Sequence, residues 1–150
     1  MSAATNTAVD LGGQPDGGAS SADLLTQAWR AIAEAQAADS AQERFERAAV
    51  AAVRAASAVL AGCPAQVRGA RAQSVWTLAV RCAPELREWA DYFSAATRAC
   101  VMLRSHGVAS GGITQRLADD LLRDADRFAH EVRGLLLRRR TRRLAHVVGE

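Results

Sequence analysis

The stretch that decides the fold is Ser74-Val-Trp-Thr-Leu-Ala-Val-Arg-Cys-Ala-Pro-Glu-Leu-Arg-Glu-Trp-Ala-Asp-Tyr-Phe93, answered later by Ala118-Asp-Asp-Leu-Leu-Arg-Asp-Ala-Asp-Arg-Phe128. Apolar residues recur in both at three- and four-residue intervals, the spacing of one face of a helix. Val75, Trp76, Leu78 and Ala79 form the apolar face of a short helix over 73–82. Pro84 breaks it and opens the next helix, since a proline in the first turn lacks only an amide proton that has no helical partner there. Glu85 and Glu88 then face the positive end of the helix dipole. Leu86, Trp89, Ala90, Phe93, Ala96, Thr97, Cys100 and Val101 form the inward stripe of that helix, which Gly107 ends.

Two helices are predicted upstream. Ser20 and Asp23 resemble a capping box ahead of Leu25, Ala28, Trp29, Ile32, Ala35 and Gln36, giving a helix to about Ala38. Ser40 and Glu43 form a second box before Phe45, Ala49, Ala52, Val53, Ala56, Val59 and Leu60, and Gly62 with Pro64 ends that helix. Residues 63–72 read as a basic loop. Downstream of a Gly111-Gly112 hinge, Thr114 caps a last helix with Leu117, Leu121, Ala125, Phe128, Val132 and Leu135 inward. Strand-like alternation and internal repeats are both missing from the sequence, so the fold class is all-α, an up-and-down bundle of four to five helices. Residues 1–20, with Gly12-Gly13-Gln14-Pro15-Asp16-Gly17-Gly18, read as a disordered tail; 21–137 form the helical domain; 138–150 form an Arg-rich C-terminal tail.

Composition narrows the function classes. The 150 residues suit one domain, and a hydrophobic share of 49% with only 5% aromatics means a core built by close approach of alanine-rich helices. All 19 basic residues are Arg, a bias that suggests a GC-rich genome; against 16 acids the net charge is only +3, so the overall charge demands no nucleic-acid partner. Its distribution is uneven, however. Arg138, Arg139, Arg140, Arg142 and Arg143 follow Arg133 with little acidic compensation, and guanidinium groups match phosphate geometry. The same block also suits a solvated helix C-terminus. With no aromatic interleaved, it gives no support for sequence-specific single-strand recognition. No apolar run reaches the ~20 residues that span a bilayer, so no membrane role is expected.

Cys63, Cys82 and Cys100 are odd in number and unclustered, and no secretory leader opens the chain, which points to a reduced cytoplasmic setting with the cysteines as small core residues. With His106, His130 and His146 they form no Cys-x-x-Cys or His-x-x-x-His pair, so neither metal nor cofactor is expected. The glycine-rich run 105–112 follows a helix and lacks a P-loop lysine, and reads as a hinge. No Ser, Cys or Thr can be assigned a neighbouring His and acid, so covalent catalysis has no candidate.

The strings Trp76-x-Leu-Ala-x-Arg-x-Ala-Pro-Glu-Leu-x-Glu-Trp-Ala-x-x-Phe93 and Ala118-Asp-Asp-Leu-Leu-Arg-Asp-Ala125 resemble the SAV-like actinobacterial family of HEPN domains, over about residues 22–136. The resemblance implies a helical bundle that dimerises and encloses a polar cleft between protomers, in a superfamily rich in RNA-binding and RNA-cleaving members. Active nucleases of that superfamily carry an Arg and, after four to six intervening residues, a His near the start of the last core helix. This chain departs from the pattern. After Arg116, positions 121–123 are Leu, Leu and Arg; Arg139 and Arg140 precede His146, but in the Arg-dense tail.

The expected function is therefore a non-enzymatic, dimeric binding module for nucleic acid, RNA or DNA, or for a nucleic-acid-processing protein. The alternatives are a metal-independent ribonuclease using His146, His130 or His106, and an antitoxin-like protein-interaction module. The residues expected at a cleft or partner surface are Arg81, Glu85, Glu88, Arg116, Asp119, Asp120 and Arg123; Arg138, Arg139, Arg140, Arg142 and Arg143 are expected to contact nucleic acid; none is expected to be catalytic. A plainer reading makes Arg116–Asp120, Asp119–Arg123 and Arg127–Glu131 pairs along a solvated helix, and Arg81–Glu85 a contact across Pro84.

Overall fold

A computed structural model describes residues 18–67, 73–105 and 112–149. Its helices are α1 (Ser21–Ala37), α2 (Ala41–Ala61), the single turn α3 (Pro64–Val67), α4 (Val75–Cys82), α5 (Arg87–Ser105) and α6 (Gln115–Val148), with a 3-10 turn, Pro84–Leu86, leading into α5. The described residues contain no strand. The expected all-α bundle is borne out, with five helices of eight residues or more.

The starts of the helices follow from local chemistry. At Ser20 both halves of the capping box form, the hydroxyl accepting from the Asp23 amide and the Asp23 carboxylate from the Ser20 amide. Ser40, Ser74 and Thr114 each accept the amide three residues on, satisfying a donor that the first turn leaves free. Pro84 stands where a proline costs least, at the head of the turn before α5. Between α2 and α4 the expected basic loop is in part a helix, because Pro64 preorganises the first turn of α3. Residues 68–72, the expected end at Gly107 and the Gly111 hinge lie outside the described residues, as do 1–17 of the expected tail.

The helix α2 is the hub, touching α1, α4, α5 and α6. It is paved with Ala48, Ala51, Ala52, Ala55, Ala56 and Ala58, all at 0% exposure, against which Ala28 and Ala35 of α1 and Ala118, Ala125 and Ala129 of α6 approach without intervening bulk. On the other side the space between α4, α5 and α6 is filled by rings. Phe93 and Phe128 meet at 5.2 Å, Trp76 stacks on Phe93 at 5.5 Å, and Trp89 stacks on Phe93 at 5.7 Å. Each such pair contributes about 0.5–1.5 kcal/mol beyond its buried area. The Trp76 to Phe93 string thus supplies the aromatic half of the core.

Three inward assignments are corrected. Leu117 (45% exposed) and Val101 (57%) face outward, as does Gln36. The buried seam of α6 runs Ala118, Leu121, Ala125, Phe128, Val132 and Leu135. Its alternating three- and four-residue steps begin at a small alanine, one position from the larger leucine that the pattern invites. No helix among the described residues is long and apolar enough to cross a membrane.

Candidate functional site

The last helix does not stop at the expected edge of the Arg-rich tail; α6 runs 34 residues, about 51 Å at 1.5 Å per residue. Because successive residues turn by about 100°, the linear Arg block is dealt onto separate faces. Arg139 turns inward and donates to the Cys82 carbonyl at the end of α4. Arg138 faces the turn before α5, and Arg140 and Arg143 share a face with Arg133.

That third face forms one wall of a groove of about 530 Å³ between α6 and the start of α1. Leu25, Leu136 and Leu137 supply its apolar lining, Arg133, Arg140 and Arg143 its charge, and Trp29 enters it from α1. Trp29 is half-buried and meets the His130 ring edge-on, centroids 4.6 Å apart. Ser21, which lines the groove, donates to the Ala58 carbonyl at 2.7 Å, joining the start of α1 to the end of α2. An aromatic ring therefore does stand beside the arginines, although none is interleaved with them in sequence.

A second, smaller cleft of about 440 Å³ lies where the Pro84–Leu86 turn meets α6, lined by Glu85, His130, Glu131, Gly134 and Arg138. Trp89 Nε1 donates to Glu131 at 2.7 Å, holding that carboxylate at the cleft wall. His130 Nδ1 lies 2.9 Å from the Asp126 carbonyl. A carbonyl can only accept, so in this bond Nδ1 carries a proton and the neutral ring keeps Nε2 as its basic nitrogen.

The remaining residues do not gather at either cavity. Arg81 reaches back to Gln73 at 3.0 Å instead of across Pro84 to Glu85. Glu88 and Arg116 are exposed on the outer surfaces of α5 and α6. The expected pairs along α6 are displaced by partners from neighbouring helices or by closer spacings. Asp119 receives from Arg44 of α2 and from Gln115, Glu131 from Trp89, and Asp120 pairs with Arg123 at 3.0 Å. Hydrogen bonds from Arg44 and Gln115 hold the Asp119 carboxyl below its usual range. Arg44 also donates to the Ala35 carbonyl, so one side chain joins α1, α2 and α6. Tyr92 donates to Asp124 at 2.8 Å; burial, reinforced by that bond, pushes its hydroxyl up to about 12.

His146 lies on the exposed end of α6, seven residues from Arg139, whose guanidinium is turned to Cys82, and six from Arg140, about 120° around the helix. The tail pairs are thus not brought together as a site. His106 lies outside the described residues. Among the described residues no group of three or more His, Cys, Asp or Glu could hold a metal ion.

Sequence reasoning found the Arg block and missed Trp29 and Arg44, whose roles depend on which helices become neighbours. Residues 35–133 match the model of SAV_6107-like HEPN domains, two-thirds of the chain. No curated relative and no solved structure matches it.

Proposed function

The chain belongs to the SAV_6107-like HEPN family, and we propose that it is a non-enzymatic binding module that holds nucleic acid in the groove between α1 and α6. The observation that carries this reading is the convergence of Arg133, Arg140 and Arg143 on one apolar groove that also contains Trp29. Guanidinium groups satisfy phosphates in pairs of hydrogen bonds, and an indole face stacks on any base. RNA and DNA share these features, so the chemistry is that of a flexible polyanion with accessible bases. Such a partner agrees with a cytoplasmic protein.

The module acts as a dimer in this proposal. Val101 and Met102 of α5 and Leu117 of α6 are large apolar residues exposed on the helices expected to form the seam. The surface of Arg116, Asp120 and Arg123 then faces the partner protomer.

The test is binding of labelled single-stranded RNA and DNA over a salt series, with Arg133, Arg140 and Arg143 replaced by Ala. Affinity should fall for all sequences and the salt dependence should flatten, while the helical circular dichroism stays. An unchanged salt slope in the variant removes the groove from the reading. Salt-insensitive capture of one protein with no RNA binding would instead support the antitoxin-like alternative.

A second reading rests on the smaller cleft. There His130 offers a basic Nε2 beside Glu85, Glu131 and Arg138, the groups a metal-independent ribonuclease needs for proton transfer and phosphate binding. RNA cleavage in the presence of chelator that disappears in His130→Ala would favour it.

A further inference from the structure

The groove, the cleft and the exposed residues of α5 belong to the readings above; the far end of α6 carries an apolar face that extends beyond them. Leu137, Leu144, Val147 and Val148 are 52, 59, 75 and 86% exposed there. At about 100° per residue they fall within roughly 100° of one another around the helix, with Arg140 among them and Arg143 at the border. We propose that this face is the docking site of the chain's own residues 9–16 and, resting on the nucleic-acid reading above, that a bound nucleic acid must displace them.

The direction of the chain brings that segment there. A Cβ at Gly62 would meet Leu136 Cδ2 at 3.6 Å and Ser21 Oγ at 3.7 Å, so α1 begins beside Leu136, while Trp29 further along α1 meets His130. The helix α1 therefore runs antiparallel to α6, and the chain that enters it through the exposed Gly18, Ala19 and Ser20 comes from the side of residues 137–148. From Leu136 to Val148 is about 18 Å along the helix. The chain from Gly18 back to Val9 extends to about 30 Å, which is ample reach. Charge agrees with direction. Residues 1–17 hold Asp10 and Asp16 and no basic side chain, whereas residues 137–149 hold Arg138, Arg139, Arg140, Arg142 and Arg143 and no acid. A second copy of α6 on this face would instead set arginines against arginines. Val9 and Leu11 flank Asp10, so an extended strand presents both to one side, onto Leu144 and Val147, and leaves the carboxylates to pair with guanidinium groups along the border. Two apolar side chains offset little of the entropy of ordering a glycine-rich segment, so the contact is light enough for a polyanion to displace.

The experiment uses the full chain, isotope-labelled for NMR. Nuclear Overhauser contacts from the Val9 and Leu11 methyls to those of Leu144 and Val147 are expected, and a mixture of labelled and unlabelled chains should give none between molecules. Val9→Ser combined with Leu11→Ser should shift the Leu144 and Val147 methyl resonances and leave the helical circular dichroism in place. The same variant should bind single-stranded oligouridylate roughly three- to tenfold more tightly, the gain when a segment docked most of the time is released. Lack of these contacts in the unmutated chain, or contacts only between molecules, overturns the docking whether or not the variant folds. An oligouridylate affinity that the double substitution leaves unchanged overturns the displacement. Docking contacts with no oligouridylate binding by either chain uphold the segment's seat and remove the nucleic-acid reading instead.

Discussion

The two halves of α6 have nearly the same helix-forming chemistry and opposite fates. From Gln115 to Leu136 the helix buries Leu121, Ala125, Phe128, Ala129 and Val132 at no more than 1% exposure. From Leu137 onward it leaves Leu137, Leu144, Val147 and Val148 at 52, 59, 75 and 86% exposed. A short helix is marginal alone in water because its first turn is costly to nucleate. The outer half avoids that cost by continuing a turn that the core has already ordered. The inner half is committed to architecture. Apart from Arg139, which is tied to the Cys82 carbonyl, the outer half has no core role, and it projects Arg140 and Arg143 beside α1, where the proposed binding would use them.

The contrast is tested most strongly by paired truncations. Phe128→Ala should cost about 3–5 kcal/mol in urea unfolding, whereas Leu144→Ala should stay within about 0.5 kcal/mol. A large cost at Leu144 at high protein concentration, vanishing on dilution, would show that a second copy covers the outer half.

Next in size is the electrostatic effect. Replacing Arg133, Arg140 and Arg143 together should lower the slope of log affinity against log salt by roughly 2–3, at about 0.7–0.9 per lost phosphate contact. The same change should leave the urea midpoint close to its original value, which separates binding from folding.

Gly134 stands just before the boundary between the halves. A Cβ there would meet only the flexible end of Arg138, at 3.1 Å, so Gly134→Ala should stabilise the helix by about 0.5–1 kcal/mol. Destabilisation on thermal melting would mean that Arg138 is held firmly in the cleft beside Glu85, and that the outer half is less free than proposed.

The smallest effect belongs to Arg44→Ala. Asp119 has its carboxyl lowered in the fold, so it contributes stability above the usual carboxylate range, and that contribution is lost as pH falls through the lowered value. The variant should lose part of the difference between urea midpoints at pH 6 and pH 3. An unchanged difference would assign the acid sensitivity to other carboxylates.

How far the sequence speaks depends on whether a feature is local. Ser20, Ser40, Ser74 and Thr114 announce their helix starts because a cap is made within three residues. Trp76, Phe93 and Phe128 announce the core because their spacing is that of a buried face. Leu117 misleads by its size, since a one-residue step turns it away from the seam that Ala118 begins. The Arg block was legible as charge, but its division among Cys82, the Glu85 cleft and the α1 groove required the tail to be read as continuing helix. Trp29 gave no local signal of its place beside Arg133 and Arg140. The residues of that groove come from opposite ends of the chain, joined only when α1 packs on α6.

The shielding of α2 has a kinetic consequence. Helices cover its middle turns on several sides, and Ala51, Ala52, Ala55 and Ala56 leave no gap through which water could enter. Deuterium can reach their backbone amides only when the whole bundle opens, whereas the tip of α6 exchanges by fraying alone. The chain thus carries a slow clock at its centre and a fast one at its end, and their ratio measures in one sample how loosely the arginine-bearing segment is attached to the body that presents it.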